Sequence, residues 1–172
     1  TRSCDLTDKQ TIRGIHRILR TARHMQLCVH AWISIVCTAG CSWRNINNAL
    51  GIKTGDIKLT NELIRIAIGI GRHVVKIGGD VHWEWPSTSA LWKHDDVQAF
   101  LERSNAKPAI VSTAAAGLEF TESDGSTVYL KKCWLIRTTS EKLREALKPL
   151  AALPSACKFV ECRGKRAVAS GN

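Results

Sequence analysis

Apolar residues follow two periods along this chain, and the switches between them divide it into elements. From Asp8 to Arg23, Ile12, Ile15, Ile18 and Leu19 recur at helical spacing, with Arg13, Arg17, Arg20 and Arg23 on the other faces and Thr7 or Asp8 placed to cap the first turn. Val29 to Val36 is a continuous run rich in Val, Ile and Trp, which reads as a buried strand ending at Cys37 and a small-residue loop. The polar stretch from Thr38 to Asp56 is long for a connector, as binding loops are. Asp56 to Ile77 carries the strongest helical stripe (Leu59, Leu63, Ile66, Ala67, Ile70 and Val74) and stops at Gly78-Gly79. Asp80 to Pro86 reads as a second buried strand closed by its proline, and Asp95 to Ser104 as a third helix with Val97, Phe100 and Leu101 inward.

Two further strand-like runs, Ala109 to Phe120 and Thr127 to Thr138, flank the turn signal Ser123-Asp124-Gly125-Ser126. A short helix from Ser140 to Leu150 and a last strand from Lys158 to Cys162 follow. The order helix, strand, helix, strand, helix, hairpin, helix predicts an α/β fold: a Rossmann-like, three-layer open sheet, mostly parallel, with a C-terminal antiparallel hairpin. Val29–Val36 and Val81–Trp85 are expected as adjacent parallel strands joined by the helix near Asp56–Ile77, with Cys37 and Glu84 at the same edge of the sheet. Residues 1–162 read as a single domain and residues 163–172 as a basic tail, and the abrupt start at Thr1 points to a missing N-terminal segment or a larger polyprotein.

Composition narrows the partners. The content of 44% hydrophobic and 23% charged residues is that of a globular protein. The longest apolar runs carry Arg, Lys or His, so no membrane span is expected, and Arg2, Asp5, Asp8 and Lys9 break any signal-peptide core. Twenty-five Lys and Arg against 15 Asp and Glu give a net charge of +10, which favours DNA or RNA as partner. The seven cysteines, without a secretory signal, suggest a reduced intracellular protein of nucleus or cytoplasm. A zinc site drawn from Cys37, Cys41, Cys157 and Cys162 lacks a finger or ribbon context, so no metal is expected.

Candidate chemistry gathers at the predicted strand ends. Cys37, beside a loop that brings Arg44, has the setting of an activated thiolate, although a buried cysteine serves equally often as a small hydrophobe. Glu84 lies between Trp83 and Trp85 and shares a strand face with His82; it suits binding or protonation of a heterocycle, or an ion pair with Arg or Lys. Trp43, Trp85 and Trp92 fall in or beside loops near these ends, where they suit base stacking or packing. Arg44, Asn45, Lys131, Lys132 and Arg137, with Lys165 and Arg166 in the basic tail, are the candidate nucleic-acid contacts.

Cys37 before a small-residue loop, and Glu84 at the end of the next strand, resemble the nucleophile and ring-holding motifs of the cytosine-C5 DNA methyltransferases. The string Cys37-Thr38, Trp43, Asn45, Asn47, then Trp83-Glu84-Trp85-Pro86 and Lys131-Lys132-Cys133-Trp134 is similar to a methyltransferase-like segment of copia-type retroelement polyproteins. The resemblance implies a class I, S-adenosylmethionine-dependent fold in which the Cys37 thiolate attacks C6 of a flipped cytosine, Glu84 engages N3, and Asp5 contacts the cofactor adenine. Val36 stands where that family has proline, Trp85-Pro86 where it has Asn-Val, and no glycine-rich cofactor turn follows a first strand. These departures imply a partial or degenerate methyltransferase-like domain that acts on or binds nucleic acid, and that holds S-adenosylmethionine weakly or not at all by itself. The alternative is a non-catalytic, basic nucleic-acid-binding module of a retroelement-type protein.

Overall fold

A computed structural model of the chain describes residues 5–40, 56–122, 124–152 and 159–161. Helix α1 (Lys9–His24) starts at Asp8, whose carboxylate accepts from the amides of Gln10 and Thr11. Strand β1 (His30–Ile33) follows, and a short turn at Thr38–Gly40 lies beyond its end. Helix α2 (Ile57–Lys76) is capped by Asp56, which accepts from the amides of Lys58 and Leu59. Its last turn closes through Gly78, at φ +83°, and Gly79, where a Cβ would lie 2.6 Å from the Val29 carbonyl oxygen. That pair lets the chain reverse tightly against the start of β1 and enter strand β2 (Asp80–Pro86). A turn at Ala90–Lys93, helix α3 (Asp95–Arg103) and strand β3 (Lys107–Ser112) come next. Strands β4 (Glu119–Thr121), β5 (Thr127–Lys131) and β6 (Cys133–Thr138), helix α4 (Glu141–Leu147) and strand β7 (Phe159–Glu161) complete the order.

The sheet corrects the expected architecture. It has four strands in the order β1-β2-β6-β3; only β1 and β2 pair in parallel, while β6 is antiparallel to both β2 and β3. Two of its three pairings are thus antiparallel, and the Rossmann-like, mostly parallel sheet and the partial class I methyltransferase-like fold drawn from it do not hold. The fold is a small α/β domain around a mixed, open sheet. The physical reason lies in the ribbon. Its two runs do not form one uninterrupted terminal hairpin, because the chain kinks where the Thr113 amide and hydroxyl both donate to the Lys132 carbonyl, with Gly117 at φ +82°. Beyond the kink, β4 and β5 form the hairpin closed near Asp124-Gly125, and β5 also pairs in parallel with β7 in a separate three-stranded sheet. Before it, β6 inserts between β2 and β3, so that β2 is hydrogen-bonded along both edges.

Alternation along β2 sorts the two sheet faces. Val81, Trp83 and Trp85 are buried with Ile64, Ile68 and Val74 of α2 and Val97, Phe100 and Leu101 of α3 in one core, which Leu19 of α1 joins. Trp83 and Trp85 meet edge to face at 5.2 Å, and Trp85 meets Trp92 at 5.0 Å. The Trp85 indole N–H donates to the Ile35 carbonyl at 2.8 Å, tying the end of β1 to β2, whereas the buried Trp83 Nε1 has no acceptor among the described residues. An orphaned buried partner costs about 1–3 kcal/mol. Trp85→Phe, which strands the Ile35 carbonyl, is therefore expected to destabilise the fold more than Trp83→Phe, which removes a donor already unpaired. Urea unfolding of the two variants measures the order, and a larger loss for Trp83→Phe would contradict it.

Candidate functional site

Cys37 and Glu84 lie at the same end of the parallel pair. Ile33 is level with Trp83, so Ser34 comes beside Glu84, and its hydroxyl donates to Glu84 Oε2 at 2.9 Å. Glu84 is half-buried on the face opposite Trp83 and Trp85 and shares that face with His82. Cys37 is half-buried at the rim of the core, in the turn whose Gly40 amide donates to its carbonyl. A Cβ at Gly40 would lie 2.5 Å from Leu91 Cγ, so glycine lets this turn close onto the one after β2. Sequence-based placement of these two residues therefore agrees with the fold.

The other candidates are scattered. Asp5 sits ahead of α1, its carboxylate accepting from the Thr7 amide and hydroxyl; these bonds, the amide's foremost, hold its pKa below the ordinary carboxylate value. Lys132 reaches over the Trp134 ring, 4.5 Å from its centroid. The Arg137 guanidinium is half-buried and donates twice to the Ala106 carbonyl, and burial lowers its pKa. Lys131 is the last residue of β5, described for its backbone alone. Arg44, Asn45, Lys165 and Arg166, together with Cys41, Cys157 and Cys162, lie outside the described residues. Among the described residues no group of three or more His, Cys, Asp or Glu is placed to hold a metal, and no helix is long and apolar enough to cross a membrane.

A concentration of positive charge lies elsewhere, at the end of the sheet where β1, β2 and β3 begin. Since β6 is antiparallel to both β2 and β3, these three strands run the same way. Five residues separate α1 from β1, three separate α2 from β2 and three separate α3 from β3. Connections that short bring all three helix C-termini to this one end. Helix α1 contains no Asp or Glu, and Arg13, Arg17, Arg20 and Arg23 are exposed and make no ion pair among the described residues. Arg72, Lys76 and Arg103, with Val75, Phe100 and Ser104, line a cleft of about 310 Å³ between the last turns of α2 and α3. The band continues through His73, whose Nδ1 lies 2.7 Å from Nδ1 of His16. Sequence reading missed this cleft, although Arg72 and Lys76, one turn apart beside an acid-free α1, were its signal.

No protein-family model, curated protein or solved structure matches the chain.

Two imidazoles feel these surroundings. Burial, then the neighbouring charges of His16, Arg20, Lys76 and Arg23, lowers the pKa of His73 from the ordinary 6.5. Burial, then His30, lowers that of His82 against a smaller opposing effect of Asp80, while His82 Nδ1 lies 2.8 Å from the Thr138 hydroxyl. Each imidazole takes up a proton less readily folded than unfolded. Their contribution is therefore complete above pH 6.5 and is lost as pH falls from there through the lower folded-state values. Urea midpoints are expected to drop as pH falls from 8 towards 5, and His73→Gln is expected to flatten that slope; a midpoint rising towards pH 5 would refute the sign.

Proposed function

We propose that this chain is a non-catalytic, basic nucleic-acid-binding module, the alternative that the retroelement-type resemblance implies. The observation that carries the reading is the gathering of Arg20, Arg23, Arg72, Lys76 and Arg103 where the three helices end, away from the Cys37–Glu84 end of the sheet. Cations in a last helical turn offset the helix dipole. That role accounts for Arg23, Lys76 and Arg103 singly, but Arg20 and Arg72 lie outside the last-turn cations and extend the band. A polyanion held on such a band releases counterions from each phosphate it neutralises, so affinity falls steeply with salt.

An enzyme acting on nucleic acid at Cys37 would be served by positive charge at that end of the sheet, to draw phosphates towards the thiol. Among the described residues the cations that line a cleft are at the other end. The band lies away from Cys37 and Glu84, and this favours the module over the methyltransferase-like enzyme.

Fluorescence anisotropy with a labelled oligonucleotide tests the reading. The triple variant Arg72→Glu, Lys76→Glu, Arg103→Glu is expected to weaken binding at least tenfold and to flatten the salt slope by about 2 to 3, close to one unit per lost phosphate contact. Cys37→Ala is expected to bind like the parent. Parent binding that ignores salt, or a triple variant that binds normally, would refute the module.

A further inference from the structure

Two imidazoles join the basic helices to each other. His16 of α1 and His73 of α2 are half-buried where the two helices touch. Their Nδ1 atoms lie 2.7 Å apart, and the rings stack with centroids 5.0 Å apart and 20° between the planes. A contact that short between ring nitrogens is a hydrogen bond, in which one Nδ1 carries the proton and the other is bare. The pair can therefore take up one proton and keep the bond, because the imidazolium still donates to its neutral neighbour. A second proton would set two N–H groups against each other. The two rings thus titrate as a unit that holds one charge while the helices stay in contact.

The charges around the pair are all of one sign. Arg20 and Arg23 of α1 and Lys76 of α2 act on His73 together with His16, and α1 contains no Asp or Glu. Helix α3, which also packs on α2, adds Arg103 to the cleft that Arg72 and Lys76 line. Beneath α2 the sheet presents only apolar groups, Ile33, Val81 and Trp83 among them. After burial, repulsion by these cations is what holds a proton off His73. The same cations are the ones that the nucleic-acid-binding reading assigns to phosphates. A phosphate held between them cancels the repulsion and leaves the burial, so the pair accepts a proton more readily in the complex. Such coupling is reciprocal: a ligand that raises the proton affinity of the pair is itself held more tightly by the protonated pair.

We propose that the stacked His16–His73 pair is a proton switch on the basic band, taking up one proton as nucleic acid binds and so tightening the grip as pH falls. This rests on the nucleic-acid-binding reading and adds the regulation of that same surface. Affinity is expected to grow as pH falls through the titration midpoint of the bound pair, and to level off below that of the free pair. Anisotropy titrations of the whole chain with a labelled DNA duplex, at constant salt from pH 8 to pH 5.5, test it, with circular dichroism checking the fold at each pH. The phosphodiesters stay ionised throughout this range, so they add no slope of their own. The parent is expected to bind about three- to tenfold more tightly at the acid end, which corresponds to a midpoint raised by about half to one unit. His16→Gln and His73→Gln are each expected to remove most of that gain, whereas His24→Gln, at an exposed histidine in the last turn of α1, is expected to keep it. Nuclear magnetic resonance of the parent supplies a readout that needs no variant to fold: the His73 imidazole midpoint is expected to rise by at least about half a unit when the duplex is added. Binding that does not change with pH, a gain that survives both Gln variants of the pair or is lost in His24→Gln, or a His73 midpoint unmoved by the duplex overturns the switch and leaves the basic module standing. Absence of binding at every pH overturns both.

Discussion

Burying two tryptophans two residues apart on one strand is the requirement around which this domain is arranged. Trp83 and Trp85 are both essentially inaccessible and lie on the same face of β2. So large an apolar surface needs a continuous cover, which α2 and α3 provide together. The two helices approach closely there, and a Cβ at Gly71 would lie 2.7 Å from Phe100 Cζ. The Trp92 indole donates to the Pro86 carbonyl at 3.0 Å, so the turn after β2 folds back over the same cluster. A strand buried this deeply must also satisfy its backbone on both edges, and β1 and β6 do so.

The parts of the fold legible in the sequence were those set by local period. The stripes of α1, α2 and α3 and the apolar runs of β1 and β2 place the elements to within a few residues, and the helix between two apolar strands implies their parallel pairing, which is present. The place of β6 was not legible. Its alternation is the same whether it pairs with β3 alone or also slots against β2, and only the long-range demand of β2 for a second neighbour decides between them. The kink at Thr113 was hidden for a related reason, since it depends on the Lys132 carbonyl 19 residues away. The same holds for the site. Cys37 and Glu84 could be assigned to one sheet end from strand order, but the Ser34–Glu84 bond and the His16–His73 contact depend on register and helix packing.

The fold is electrically polarised along its strands. Asp56 caps α2, and Asp95 and Asp96 occupy the first turn of α3, while basic residues end all three long helices. This follows the preference of each helix dipole, so the charges stabilise their own helices. Because α1, α2 and α3 deliver their C-termini to the same end of the sheet, local preferences of a few tenths of a kcal/mol each add up to a directional field. The candidate interface thus arises from connection lengths and helix ends rather than from a sequence motif.

The two outer strands of the four-stranded sheet meet solvent differently. Strand β3 begins with Lys107 and Pro108, a charge and a residue with no amide donor, and both discourage the approach of another strand. Strand β1, His30–Ile33, has neither, and among the described residues no strand pairs with its outer edge. Its protection is brevity: four residues offer too few backbone groups to template a long ladder. A sequence change that lengthened β1 outward past Ile33 would turn a harmless rim into a seed for strand-on-strand aggregation.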